Sequence, residues 1–256
     1  MGEDTVNRFA IGDVHGHYDA LMQLVQLMGL SSGDRLYFLG DLIDRGPQSA
    51  AVVDWVMAQG HTCLRGNHEE MCLLAHSRQI DSSAWHTWLV NGGTNTLESY
   101  GPGGMPAAHL DWLRQLPLYL DLGDVFLVHA GVHPDLELQD QTAAHFCWIR
   151  EEFHASDRPF FANKIIITGH TVTFAFPQVH PGQIAVGTGW IGIETGAYHP
   201  RSGWLTALNL DSAIVYQVNG LTGIERKIHL SELAAPVQPL PRRGQRGVKR
   251  GRQAFA

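Results

Sequence analysis

"RLYFLGDLIDRG", residues 35–46, sets the pattern of the chain. An apolar run ends at Gly40-Asp41, and two apolar residues later comes Asp44-Arg45-Gly46. A run this short, with aromatic residues and a glycine stop, reads as a buried strand over 35–41. "SAAVVDWVMAQ" (49–59) follows with helical spacing and ends near Gly60. The same order holds upstream. "RFAI" (8–11) stops at Gly12-Asp13, and "YDALMQLVQLM" (18–28) follows as a helix that Gly29 can cap. Downstream, "HTCLRGN" (61–67) is a third strand. Strand–loop–helix repeats predict a parallel sheet covered by helices. In all three, the polar residues follow the strand's C-terminal end, where open α/β sheets place their sites.

Residues 69–117 read as mainly helical, broken by the glycine-rich "NGGTNTLESYGPGG". From Leu118 the chain turns into short β-rich runs, "LYLDLGDVFLVHAG", "KIIITGH", "QIAVGTG", "WLTALNL" and "AIVYQV". They predict a second, mostly antiparallel sheet. Glu69 and Glu70 suit the start of a helix through its dipole. With 256 residues, 44% of them hydrophobic, the chain can bury a real core. The expected division is a catalytic domain over 1–235 and a disordered tail over 236–256. That tail holds Arg242, Arg243, Arg246, Lys249, Arg250 and Arg252 and no acid. It leaves 12 basic and 25 acidic groups, −13, on the rest. An acidic body disfavours nucleic-acid binding across its whole surface, while the tail suits contact with a polyanion. Three cysteines, Cys63, Cys72 and Cys147, make neither a disulfide framework nor a Cys-only zinc site. They read as reduced thiols of a cytoplasmic protein. No apolar run is long enough for a membrane span, and the N-terminus lacks the form of a signal peptide.

Five strand ends line up as one set: "GDVHGH" (12–17), "GDLIDRG" (40–46), "RGNHEE" (65–70), "VHAG" (128–131) and "TGHT" (168–171). Together they supply Asp13, His15, Asp41, Asn67, His129 and His170. Mixed nitrogen and oxygen donors suit Mn, Fe or Zn, and Asp41 can bridge two ions. Of the other histidines, His17 and His133 adjoin this set.

The ordered motifs GDxHG, GDxxDRG, RGNHE, HAG and GHT resemble the PPP family of metallophosphatases. They are most similar to its bacterial and phage branch, of which the bacteriophage lambda protein phosphatase is a member. The resemblance runs from about Arg8 to Val218. It implies a calcineurin-like fold, a single-domain α/β sandwich of two mixed sheets flanked by helices. It implies two divalent ions, Mn before Fe or Zn. Asp13 and His15 match the ligands of the first ion, Asp41 the bridging ligand, and Asn67, His129 and His170 the ligands of the second. Arg45, Arg65 and Arg150 match the family's phosphate-binding arginines. His68 matches its general acid and Asp44 that acid's partner. Glu194 stands where relatives commonly carry Asp, and it matches no ligand motif.

The chemistry explains why Asn67 and His68 are neighbours. Asn67 offers a neutral oxygen to a metal, and His68 is left to handle protons. Two ions about 3.5–4 Å apart would clamp a hydroxide that attacks phosphorus in line. An imidazolium oriented by Asp44 would protonate the leaving oxygen. Arginine forks suit phosphate oxygens. The leading expectation is a phosphoprotein phosphatase acting on Ser/Thr, with Tyr as a further option, on a phosphoprotein or phosphopeptide. Dinucleoside polyphosphate hydrolysis is the alternative within the superfamily, and the full "DRG" favours the monoesterase. A binding module recruiting polyanions through its tail is the alternative from another class.

Overall fold

Every strand end singled out above lies at one edge of a two-sheet sandwich. The computed structural model describes residues 6–77 and 81–239. β1 (Arg8–Ile11), β2 (Arg35–Phe38) and β3 (Thr62–Cys63) run parallel, joined by α1 (Tyr18–Met28) and α2 (Ser49–Ala58). Gly29, at φ 61°, ends α1 as a left-handed cap. A helical segment follows: α3 (Asn67–Ala75), α4 (Ser82–Trp88), a π turn at Leu89–Gly93, α5 (Thr94–Tyr100) and α6 (Ala107–Gln115). The chain then builds the second sheet from β4 (Tyr119–Asp121) and β5 (Val125–Val128). Next come α7 (Ala143–Phe146), α8 (Glu151–His154), β6 (Ile165–Thr168), β7 (Ile184–Gly187) and β8 (Trp190–Gly192). β9 (Trp204–Asn209), β10 (Ile214–Asn219) and β11 (Glu225–His229) return to the first sheet. α9 (Leu230–Leu233) leads to β12 (Ala234–Pro236) in the second. The sheet orders are β11-β10-β9-β1-β2-β3 and β12-β7-β8-β6-β5-β4.

Strand alternation explains the apolar runs. Ala10, Tyr37 and Leu39 turn inward and meet Val125, Leu127 and Ile167 of the opposite sheet. Phe9, Ile11, Leu36 and Phe38 turn outward against Leu21 and Leu24 of α1 and Val52, Val53 and Val56 of α2. Phe126, Val128 and Ile166 turn to the other outer face, where Phe146, Phe153 and Trp190 cover them. The central strands are buried on both faces, so they read as continuous apolar runs. This is a single α/β domain of two mixed sheets flanked by helices.

Three expectations need correction. The second sheet is not mostly antiparallel: β5–β6, β6–β8 and β7–β12 pair parallel, and β4–β5 and β7–β8 antiparallel. The segment between β5 and β6 is a long crossover, which parallel pairing requires. "WLTALNL" and "AIVYQV" are antiparallel, but as β9 and β10 they extend the first sheet beside β1. Alternation marks a strand without naming its partner. Third, the fold runs past residue 235. β12 pairs with β7, the Val237 N–H donates to the Val186 carbonyl at 2.8 Å, and Ala235 and Val237 are buried. The six cations of the tail lie outside the described residues. Among those described, no helix is long and apolar enough to cross a membrane.

Candidate metal centre and phosphoryl site

The C-terminal ends of β1, β2 and β3 face those of β5, β6 and β8, and the polar motifs meet between them. The sheets are stitched together there. His129, after β5, donates Nδ1–H to the Leu39 carbonyl after β2 at 2.7 Å. The His170 N–H, after β6, donates to the Asp13 carboxylate at 3.1 and 3.2 Å. Two glycines permit this approach. Gly40 has φ 101°, and a Cβ there would press on the Gly66 backbone and His129. A Cβ on Gly169 would overlap Asp13 Oδ1.

Backbone strain concentrates at the same place. Seven non-glycine residues are given a positive φ among the described residues, and five are His15, Asp41, Asp44, Arg45 and His170. Such conformations persist only where surrounding contacts impose them, and they gather at functional sites. Glu69 is one of those contacts. Its carboxylate accepts the N–H groups of Asp41, Leu42 and Gly66, each at 2.8 Å. A helix-dipole role understates it: this buried side chain holds the β2 loop to the start of α3. Burial and the nearby Asp41 push its pKa up to about 7.

Four of the six expected donors fall in two overlapping sets, the first of which also takes in His68, and Asp13 and Asn67 stand beside them. His15, Asp41 and His68 offer ligand atoms within 4.8 Å of one another, and so do Asp41, His129 and His170. Asp41 belongs to both. Its Oδ2 lies 3.7 Å from His15 Nε2, and its Oδ1 lies 3.5 Å from His129 Nε2. Asn67 Oδ1 lies 3.0 Å from His129 Nε2 and 2.7 Å from His170 Nδ1. Asp13 Oδ2 lies 4.0 Å from His15 Nε2.

The donor chemistry fits two divalent cations. His15 gives Nδ1–H to the Ile43 carbonyl at 2.9 Å, as His129 does to Leu39, so both aim an Nε2 lone pair into the cluster. A carbonyl fixing the far nitrogen is how proteins orient metal-binding imidazoles. Lone pairs of His129, Asn67 and Asp41 face one another and call for a cation between them. Arg45 Nη1 stands 2.7 Å from His15 Nε2, so that lone pair already faces positive charge. Burial, then Glu194 and Asp41, hold Asp13 well above the usual carboxylate range. Burial would raise Asp41 too, but His129, His68 and His15 outweigh it and leave its pKa lowered. Burial lowers His15, His129 and His170, which favours the neutral, ligating form.

His68 is placed for a different task. Its Nδ1 is 2.7 Å from Asp44 Oδ2, and its Nε2 faces the centre, 3.9 Å from Asp41 Oδ2. Asp44 is fully buried and also accepts from Trp88 Nε1 at 3.0 Å and Thr96 Oγ1 at 2.7 Å. Trp88 and Thr96 lie in the helical segment whose role the sequence left open. No spacing rule links them to residue 44. The arginines divide. Arg45 lies over the Tyr198 ring at 4.0 Å, beside His15. Arg150 Nη1 donates to Thr171 Oγ1 at 2.7 Å and the His170 carbonyl at 3.3 Å. Arg65 is drawn away to Glu70 at 2.8 Å and to the Arg114 carbonyl. Glu194 matters more than its lack of a motif suggested. It is buried, it accepts the Gly196 N–H at 3.0 Å, and its carboxylate takes the Asp13 N–H. Burial pushes its pKa up to about 8.

The family model of the calcineurin-like phosphoesterases matches residues 8–184, a span containing all six donors. Over 129 residues the chain is 34% identical to a symmetrical bis(5'-nucleosyl)-tetraphosphatase of Dechloromonas aromatica, covering 49% of this chain and 44% of that protein. Over 143 residues it is 34% identical to the protein of that name from Delftia acidovorans, covering 53% and 48%. The matched stretch thus spans about half the length of these curated relatives. A solved structure described as a candidate diadenosine tetraphosphatase superposes with a TM-score of 0.63 at 20% identity, covering 87% of this chain and 97% of that one. A metallophosphoesterase of Sphaerobacter thermophilus gives 0.55 at 18% identity, covering 89% and 91%. At these identities the structural likeness concerns the fold.

The relatives overturn the resemblance to the PPP family and its bacterial and phage branch, because they are symmetrical tetraphosphatases. The physical reason is where the motifs act. GDxHG, GDxxDRG and RGNHE contribute to the donor sets and the Asp44–His68 pair. A general acid and a pair of metal sites would serve an alkoxide or a nucleotide leaving group alike, so "DRG" does not distinguish the two. What fold, donor sets and family match establish together is broader: the chain belongs to the calcineurin-like phosphoesterases, with a binuclear site for divalent metal ions.

Proposed function

We propose that this domain hydrolyses dinucleoside polyphosphates, with a dinucleoside tetraphosphate cut symmetrically into two nucleoside diphosphates. The observation that carries this reading is the symmetrical bis(5'-nucleosyl)-tetraphosphatases among its relatives. In this reading Asp13, His15 and Asp41 hold one divalent cation, and Asp41, Asn67, His129 and His170 the other. The bound pair supplies charge neutralisation at the phosphoryl oxygens and a lowered pKa for the attacking water. Arg45, steadied by Tyr198, and Arg150, steadied by Thr171, take the oxygens of the phosphate chain. Arg65 has a structural task, bracing the start of α3 through Glu70. His68 delivers a proton from Nε2 to the leaving oxygen, because Nδ1 is committed to Asp44.

The test is a substrate panel with metal-loaded protein: diadenosine tetraphosphate, a phosphopeptide and an aryl phosphate, with products separated by anion exchange. The expected result is preference for the dinucleotide by at least tenfold in kcat/KM, with ADP as the product. Faster turnover of the phosphopeptide, or release of AMP and ATP, overturns the reading.

A further inference from the structure

A cavity of about 430 Å³ opens beside the metal centre. That volume falls in the range of small-molecule sites, roughly 300–1,000 Å³. Arg150 lines the cavity and also reaches Thr171 and the His170 carbonyl. Its wall carries Trp148, which leaves 42% of its surface exposed. The rings of His133 and His145 add an edge-to-face pair, with centroids 5.8 Å apart. Glu151 and Glu152 line it too and are exposed. The cavity and the phosphoryl site share a backbone: the Trp148 carbonyl faces the His170 ring, and Arg150 lies two residues on.

These features combine charge with aromatic surface. Positive charge lies where Arg150 joins the cavity to the His170 carbonyl, aromatic surface is given by Trp148, His133 and His145, and carboxylates by Glu151 and Glu152. A phosphate is drawn to the arginine and repelled by the carboxylates. An uncharged group with a flat π-face and hydrogen-bond donors suits the rest. A nucleoside attached through its 5'-phosphate combines the two: the base stacks on an indole, and ribose hydroxyls or an exocyclic amine donate to carboxylates. Trp148, 42% exposed and two residues from Arg150, offers an indole face on which a base can stack.

We propose that this cavity is the nucleoside subsite, with Trp148 as the specificity-determining residue that stacks the base and Arg150 taking the adjoining phosphate. The proposal rests on the dinucleotide reading above and names where one nucleoside of that substrate sits. No bond is made or broken in the cavity. Its effect is on binding.

The experiment uses the full metal-loaded chain and its Trp148→Ala and Trp148→Phe variants. KM and kcat are measured for diadenosine tetraphosphate, and inhibition constants for AMP and for inorganic phosphate. In Trp148→Ala, KM and the AMP constant are expected to rise together by about tenfold, the effect of losing one stacking partner. The kcat and the phosphate constant should stay within about twofold. Trp148→Phe, which keeps a π-face, should recover most of the loss. Equal weakening of AMP and phosphate would mean that the indole only props Arg150, and would overturn the proposal. So would an unchanged AMP constant in Trp148→Ala while the dinucleotide is still hydrolysed, which leaves the functional reading intact. The converse is a wild type inert toward the dinucleotide whose AMP binding still depends on Trp148. That result ends the functional reading and keeps the subsite.

Discussion

Asp41 belongs to both donor sets, and its own backbone is held at φ 50° by the Glu69 clamp. Removing its charge therefore weakens two sites at once. Asp41→Asn is expected to be the most damaging single ligand change, with metal content falling toward zero by elemental analysis and turnover lost with it. Chelation of the wild type should abolish turnover, and added Mn²⁺ should restore it. His68 makes the contrasting case. His68→Asn should keep metal content near the wild type, since the proposed ligand is its neighbour Asn67. Loss of a general acid slows reactions by about 10²–10⁴-fold. A nucleoside diphosphate leaves more readily than an alkoxide, so the loss on a dinucleotide should sit at the low end of that range. The loss on an alkyl phosphate should sit at the high end. Equal losses on both substrates would remove His68 from the acid role.

At the scale of elements, two segments carry consequences that motifs do not show. The α4–α5 region supplies Trp88 and Thr96 to a carboxylate buried at the bottom of the site. Trp88→Phe should cost about 1–3 kcal/mol of stability, because a buried anion loses a donor. Urea unfolding midpoints measure this. β12 closes the free edge of β7 and buries Ala235 and Val237. Truncation after Leu233 should therefore cost about 3 kcal/mol from lost apolar burial, read as a lower Tm. Truncation after Pro239 removes none of these contacts. A lower Tm from the second truncation as large as that from the first would contradict the assignment of stability to β12.

Across the whole molecule, acid should weaken the fold through a histidine outside the metal centre. His154 is buried among Phe153, Phe176 and Trp190, and burial, with Arg150 adding, lowers its pKa to about 3. An unfolded histidine titrates near 6.5. Below that value the unfolded chain takes the proton that the folded chain refuses. Stability should therefore fall as pH drops from about 6.5 toward 3, by up to about 1.4 kcal/mol per pH unit from this residue. Unfolding midpoints from pH 7.5 to 4.5, in chelator so that metal release does not contribute, should show a flatter acid limb in His154→Phe. A parallel limb would refute the assignment. Arg8 ties the sheets on the outside, pairing with Asp124 at 2.8 Å and Asp211 at 2.6 Å. Its hydrogen bond to Asp124 lowers that carboxyl to about 2. This contribution is present above the unfolded pKa near 3.9 and is lost as pH falls through about 2. Asp124 is 60% exposed, so Arg8→Ala should cost under about 1 kcal/mol.

The first three strands, their helices and the strand-end positions of His15, Asp41, His129 and His170 were legible because their physics is local. Apolar runs buried on both faces end at glycines, and α1 falls on the 18–28 span that its spacing predicts. The polar residue after each Gly is a backbone-geometry signal, visible in the chain itself. Other features depend on contacts between distant segments. Only the fold places β9 and β10 beside β1 rather than in the second sheet, because alternation carries no information about partners. Only the fold brings Arg65 to the Arg114 carbonyl, Trp88 and Thr96 to Asp44, and Glu194 against Asp13. The relatives favour the dinucleotide alternative over the leading phosphoprotein expectation, a choice the motifs alone do not make. The motifs carry the donors and the Asp44–His68 pair, which either substrate class would use, whereas a surface such as the Trp148 cavity, the proposed nucleoside subsite, forms only on folding.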